Sequence, residues 1–187
     1  MRFQRDVLID ELYDLARRDK DIYFLSADFG APSLDRFRED LADQFLHVGI
    51  SEQNMIDMAA GMALSGKKVY VYAMGPFITL RCLEQLKCSL AQMNLPVTVI
   101  SVGLGLGYAD AGPTHYATED LACLRSIVNC EVYTPSDTTT VVTLARLTNH
   151  KPAFRVLRLD RNSMERIYEG DVPIEQGVHE IHKGERI

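Results

Sequence analysis

The sequence predicts an α/β fold: a doubly wound, mostly parallel sheet with helices on both faces. Two observations predict it. Strand-length apolar runs and helix-length segments alternate about five times along the chain. The strand runs are continuously apolar rather than alternating, as burial on both faces demands. The connections are therefore read as right-handed crossovers.

Residues 5–18 carry Val7, Leu8, Leu12 and Leu15 at helical spacing. Ile22 to Leu25 reads as a buried strand leaving into Ser26-Ala27-Asp28-Phe29-Gly30. Leu34 to Leu41 is a short helical piece, and Phe45 to Val48 is the next strand. Ser51 is expected to cap a helix with Glu52, Gln53 and Asn54 in its first turn. Met55, Met58, Ala59 and Met62 fall on one face of that helix, and Gly66 closes it. Val69 to Met74 is a strand, followed by a helix from about Thr79 to Met93. The β-branched run Pro96 to Val102 is a strand that opens into a glycine-rich loop over 103–114. Thr118 is placed as the cap of a helix reaching Ile127. Glu131 to Tyr133 is a strand, Thr138 to Asn149 a helix and Phe154 to Leu159 the last strand. The following stretch is charged and poor in pattern. The expected division is a domain over 1–162 and a tail over 163–187.

Composition narrows the function. The chain has 187 residues, 47% hydrophobic and 25% charged, which are ordinary globular values. No apolar run approaches the roughly 18 residues of a membrane span. The first six residues form no apolar signal, so a cytoplasmic location is expected. The net charge of -6 and the lack of a basic run argue against nucleic acid or an anionic membrane as partner. Cys82, Cys88, Cys123 and Cys130 form no Cys-x-x-Cys pair and read as reduced packing thiols.

Open parallel sheets bind ligands at the carboxyl ends of their strands. The segments leaving those ends contain Asp28, Glu52, the Met74-Gly75-Pro76-Phe77 turn, the loop from Gly103 to His115, and Arg158 to Arg161. Glu52 follows a strand and starts a helix amid Ile50, Met55 and Ile56. It complements the helix dipole, or it is a carboxyl group set for proton exchange in a semi-apolar cleft. The loop Gly103-Leu104-Gly105-Leu106-Gly107 lacks the G-x-G-x-x-G spacing and immediate helix of a dinucleotide fingerprint. Gly66-Lys67-Lys68 lacks the rest of a P-loop, and His179 with His182 is weak evidence for a metal.

Four pieces occur in order: Ser26-Ala27-Asp28, Val48-Gly49-Ile50-Ser51-Glu52-Gln53-Asn54-Met55, Asp110-Ala111-Gly112-Pro113-Thr114-His115 and Leu157-Arg158-Leu159-Asp160-Arg161. Together they resemble the pyrimidine-binding domain of the transketolase family over about residues 1–162. The resemblance implies thiamine diphosphate as cofactor. Glu52 would then hydrogen-bond N1′ of the aminopyrimidine and favour the tautomer that takes the thiazolium C2 proton. Burial should raise its pKa, while the helix start pulls the other way. Phe77 matches the aromatic residue that stacks on the aminopyrimidine. Asp28 matches an acidic residue near the cofactor at the subunit interface, and Met74 stands where a second aromatic is usual. His115 matches a substrate-contacting histidine. Arg2, Ser33 and Arg161 fall at or near positions that hold a sugar phosphate, a task suited to the guanidinium fork.

The departures are informative too. Ala111 stands where an acidic residue precedes G-P-T-H, with Asp110 one step earlier, and Gly103 replaces a histidine of the loop. These changes bear on the substrate and leave the cofactor-activating residues in place. The Gly-Asp-Gly motif that goes with the diphosphate and Mg²⁺ does not occur in these residues. The expected partner is therefore a diphosphate-binding, N-terminal-section subunit holding Mg²⁺, with a homodimer core formed by this domain. The rim around Glu52 and Met55 to Met62 is the candidate contact surface. The expected substrate is a small sugar or 2-oxo compound, whose ketol or acyl unit is transferred. Two rival readings stay open: a scaffold or regulatory subunit that has lost catalysis, and a nucleotide-binding oxidoreductase.

Overall fold

The computed structural model describes residues 2–27, 31–170, 172–174 and 184. Its apolar runs form six strands: β1 (Ile22–Ser26), β2 (Phe45–His47), β3 (Lys68–Met74), β4 (Val97–Val102), β5 (Glu131–Tyr133) and β6 (Arg155–Leu159). They lie in one sheet in the order β2-β1-β3-β4-β6-β5. Every pairing is parallel. The expected fold class stands, and the sheet is wholly parallel among the described residues.

Strand side chains alternate between two helical layers. Val69, Val71 and Ala73 face the first, built from α3 (Glu52–Leu64), α4 (Gly75–Ile78), α5 (Leu83–Gln85) and α6 (Asp120–Leu124). Tyr70 and Tyr72 face the second, built from α1 (Gln4–Ala16), α2 (Asp35–Asp40) and α7 (Thr138–His150). Buried Gln4 in α1 ties that layer to two strand exits. Its amide donates to the Pro135 carbonyl, and its oxygen accepts from the Asp160 N–H, each at 2.9 Å.

Three local expectations need correcting. The helix expected over 79–93 does not start at Thr79: residues 79–82 are turn, α5 covers only Leu83–Gln85, and a π-helical turn follows over Leu86–Ala91. Thr79 Oγ1 and Cys82 Sγ donate back to the carbonyls of Gly75 and Phe77, competing with a regular ladder there. The methionine face of α3 is not one surface. Met55 and Ala59 are fully buried, and only Met58 and Met62 are half-exposed at its flank. Thr118 caps nothing: its hydroxyl donates to Glu119, and α6 begins at Asp120.

Cys82 is buried and Cys88 exposed, so the packing role expected of the thiols fails at Cys88. Burial pushes the thiols of Cys82 and Cys130 up to about 12, which makes them poor nucleophiles. Of the expected tail, residues 163–170 and 172–174 are described and the rest, Gly184 aside, lies outside the described residues. The described part returns along the second layer. Ser163 bridges Phe3, and Val172 is buried.

Gly66 ends α3 in a Schellman turn. The Lys67 N–H donates to Met62 O and the Gly66 N–H to Ala63 O, with Gly66 at φ +83°. A Cβ there would meet nothing within 4 Å, so the demand is purely conformational. Gly66→Ala should lower stability by about 1 kcal/mol without disturbing the site, as read by denaturant unfolding.

Asp137 caps α7. Oδ1 accepts from the Thr140 N–H and hydroxyl, and Oδ2 from the N–H groups of Ile167 and Tyr168. Burial pushes this carboxyl up, but those donors more than offset it and hold it below its ordinary 3.8. A depressed carboxyl contributes stability above its unfolded value, and the contribution is lost as pH falls through the folded one. Asp137→Ala should cost about 1–2 kcal/mol at neutral pH. The gap between the two unfolding curves should narrow once the pH drops below 3.8.

Candidate functional site

Parallel strands deliver every C-terminal end to one edge of the sheet. Chain order reverses between β1 and β3, the kind of switch point beside which open α/β sheets bind ligands. β2 exits through Val48 and Gly49, and the Ser51 hydroxyl donates to Val48 O at 2.7 Å, closing the turn. Ser51 is the expected cap residue, but its side chain makes no capping bond. α3 therefore opens directly on Glu52, whose side chain is only 4% exposed.

A carboxylate without water needs a partner. Arg81 Nη1 donates to Glu52 Oε2 at 2.8 Å. The same guanidinium lies over the Phe77 ring, 4.3 Å from its centroid. Phe77 belongs to α4, the short turn after β3, so the exits of β2 and β3 meet through one arginine. Met74 is half-buried at the end of β3, immediately before α4. The Phe77 ring next meets His115 edge-on, with centroids 5.1 Å apart. His115 Nδ1 lies 3.0 Å from Thr114 Oγ1.

The contacts continue along the loop after β4. The Tyr108 ring lies 6.3 Å from His115 and under the Arg161 guanidinium at 4.5 Å. Arg161 pairs with Asp110 at 2.7 Å and donates to Gly107 O. The arginine favours the charged Asp110 carboxyl and holds it below the ordinary carboxylate range. Gly103, where the resemblance calls for a histidine, has φ +91°, and a Cβ on it would lie 2.1 Å from the Tyr108 ring. Tyr108 thus fills the volume of the missing side chain.

The structure therefore joins Glu52, Phe77, His115, Arg161 and Asp110 in one run of contacts, with Met74 alongside. Arg2 is not in that run. It pairs with Asp10 and lines a cavity of about 440 Å³ with Arg146, Arg166 and Thr139. Ser33 sits in the 3₁₀ turn before α2, with an enclosed hydroxyl that has no hydrogen-bond partner among the described residues. Asp28 lies outside the described residues. Among the described residues, no group of three acidic, histidine or cysteine side chains could hold a metal ion. None of the described helices is long and apolar enough to cross a membrane.

Sequence reasoning missed three participants. Arg81 is four residues after Phe77, a signal available only once the turn is known. Tyr108 stood only as one residue of the glycine-rich loop. Asp120, within the helix expected after Thr118, is fully buried and grips Arg158 through both oxygens at 2.8 and 2.9 Å. That pair pins the far end of the His115 loop to β6. Asp120→Asn should cost about 3 kcal/mol, because it leaves a buried arginine uncompensated. The double change Asp120→Leu with Arg158→Met should recover much of that loss in the same unfolding measurement.

Comparison with known proteins gives consistent results. The profile of a family described as transketolase, pyrimidine binding domain, matches residues 4–166. The chain is 35% identical over 168 residues to an apulose-4-phosphate transketolase subunit of Phocaeicola vulgatus, covering 89% of this chain and 54% of the relative. It is 30% identical over 176 residues to a putative transketolase C-terminal section of Methanocaldococcus jannaschii, covering 94% and 55%. The chain thus spans about half the length of these relatives. A solved split gene transketolase, an inactive beta4 tetramer, superposes with a TM-score of 0.79 at 24% identity, covering 91% of this chain and 55% of that one.

Proposed function

The chain belongs to the transketolase pyrimidine-binding domain family, and from that premise we propose that it is one subunit of a split, thiamine-diphosphate-dependent transferase. One observation carries the proposal. A buried carboxyl, Glu52, and an aromatic ring, Phe77, are bridged by a single flat N–H donor, the Arg81 guanidinium. That donor set fits an aminopyrimidine, which is also flat, stacks on a ring and hydrogen-bonds a carboxyl group. Bound there, thiamine diphosphate supplies a nucleophilic carbon able to take up and pass on a two-carbon ketol unit.

In this reading Glu52 holds N1′ and shares a proton with it in a site shielded from water. Phe77 carries the ring on its face and Met74 lies beside it, while Asp28 is assigned to the cofactor from the sequence resemblance alone. His115 meets the substrate oxygen as a proton donor or acceptor. Arg161 engages the anionic end of a sugar or 2-oxo substrate; Arg2, held by Asp10 outside that run, and Ser33, whose hydroxyl is enclosed, would have to turn towards it to share the task. Asp110 sets the orientation of Arg161 and must give way where a phosphate binds, since it holds that guanidinium already. Mg²⁺ and the diphosphate are assigned to a partner chain of the N-terminal-section type. Support for a partner lies in the relatives, one named as a transketolase subunit and the other as a C-terminal section, both names of parts. The homodimer core expected of this domain is consistent with a neighbour described as a beta4 tetramer.

Calorimetry with thiamine diphosphate and Mg²⁺ tests the proposal, using the chain alone and mixed with a partner bearing a Gly-Asp-Gly motif. Binding of the whole cofactor at micromolar concentrations should require the partner. Glu52→Gln should lower the transferase rate of the mixture by about 100-fold or more. Heat in neither titration would favour the scaffold reading instead.

A further inference from the structure

We infer that Arg81 occupies, in the unloaded chain, the position that the aminopyrimidine ring takes in the loaded site, and that it must leave the Phe77 face for the ring to enter. The inference rests on the functional reading above and adds a residue which that reading does not use. The guanidinium meets both Glu52 and Phe77 at once. A ring that stacks on Phe77 while bonding Glu52 has to lie in the same plane and reach the same carboxyl. The two cannot share it.

A second arginine in the molecule shows what a fixed one looks like. Arg158 has an 11% exposed side chain, grips both oxygens of Asp120 and donates also to Thr134. Arg81 is 43% exposed, and its hydrogen bond to Glu52 reaches one carboxylate oxygen rather than two. The side chain is thus already partly open to solvent, so it has a route out. Its backbone does not need to move. The Arg81 N–H is held by Pro76 O, and the next residue, Cys82, is buried with its thiol on Phe77 O. Rotation about the side-chain bonds alone uncovers the ring. The displaced cation also has a charge consequence. The thiazolium of thiamine diphosphate is cationic, and a fixed Arg81 would repel it at close range. Arg81 therefore keeps the site filled and the Glu52 charge paired until a ring replaces it.

The test is an NMR titration of the full chain with 4-amino-5-hydroxymethyl-2-methylpyrimidine, the free ring half of the cofactor, at millimolar concentrations. Arg81 side-chain protons over Phe77 should begin shifted upfield by the ring current and return to ordinary values as the probe binds. Arg81→Ala should bind the probe about tenfold more tightly than the unaltered chain, equivalent to about 1.4 kcal/mol. Arg81→Gln, which keeps a donor for Glu52, should fall between the two and guards against an unstable alanine variant. Upfield shifts that persist in the bound state overturn the inference, as do unchanged or weaker affinities in both variants. Either result would make Arg81 a permanent neighbour of Glu52. Probe binding to none of the three chains overturns it as well. The functional reading would then be judged separately by the cofactor titration with the partner present.

Discussion

A carboxylate sealed from water must find a cation or hydrogen-bond donors inside the protein, and at Glu52 this constraint organises one end of the sheet. Arg81 satisfies it, and to do so it has to reach from the segment after β3 to the first turn of α3. Phe77 and Arg81 are four residues apart in an irregular segment, where the short α4 turn is held by the Thr79 and Cys82 back-bonds and the guanidinium lies over the Phe77 ring. Arg81 thus ties the exits of β2 and β3 together.

The sheet was legible in the sequence because its signal is local and redundant. The central strands are apolar runs of the right length, and β4 alone contributes six consecutive buried residues. Glu52 was legible for a similar reason: a strand, a glycine turn and a helix start within a few residues. What could not be read were contacts between residues far apart in the chain. The partner of Arg81 lies 29 positions earlier, and that of Arg158 lies 38 positions earlier. In sequence each is one more surface charge among many. The Thr118 cap failed on the same ground. Asp120 is committed to Arg158, and α6 begins at Asp120 rather than directly after Thr118. Tyr108 was invisible because its role depends on an empty position, Gly103, at the start of its own loop.

The two kinds of residue at this edge are also mounted differently, and this bears on how the site divides its work. Glu52 and Phe77 sit on helical turns packed against the core, with Glu52 sealed in and Cys82 buried nearby. His115, Asp110 and Arg161 sit on the long loop and the last strand exit, where Asp110 is 73% exposed. Residues on packed elements keep their geometry, whereas loop residues can change without disturbing the core. The departures from the family pattern at Gly103 and Ala111 both fall on the loop. Tyr108 shows how such a change is absorbed, since one side chain refills the volume left by another within a few residues.

The loop is nevertheless not free. Gly105 and Ala117 close its neck by an antiparallel bridge, with hydrogen bonds of 2.8 and 3.1 Å, and the Asp120–Arg158 grip anchors its return. Inside that neck the chain from Leu106 to Tyr116 carries Tyr108, Asp110 and His115 as one unit. An exchange of side chains there alters what the pocket meets while the neck stays fixed. The exposed Arg161–Asp110 pair fits that division. Ion pairs in water contribute little to folding, so this one can be given up to an incoming anion at small cost to the fold. The buried Asp120–Arg158 pair cannot, because separating it strands a charge in the interior. The same two residue types, one pair exposed and one pair buried, thus serve opposite ends: the first remains exchangeable at the pocket, and the second holds the pocket in place.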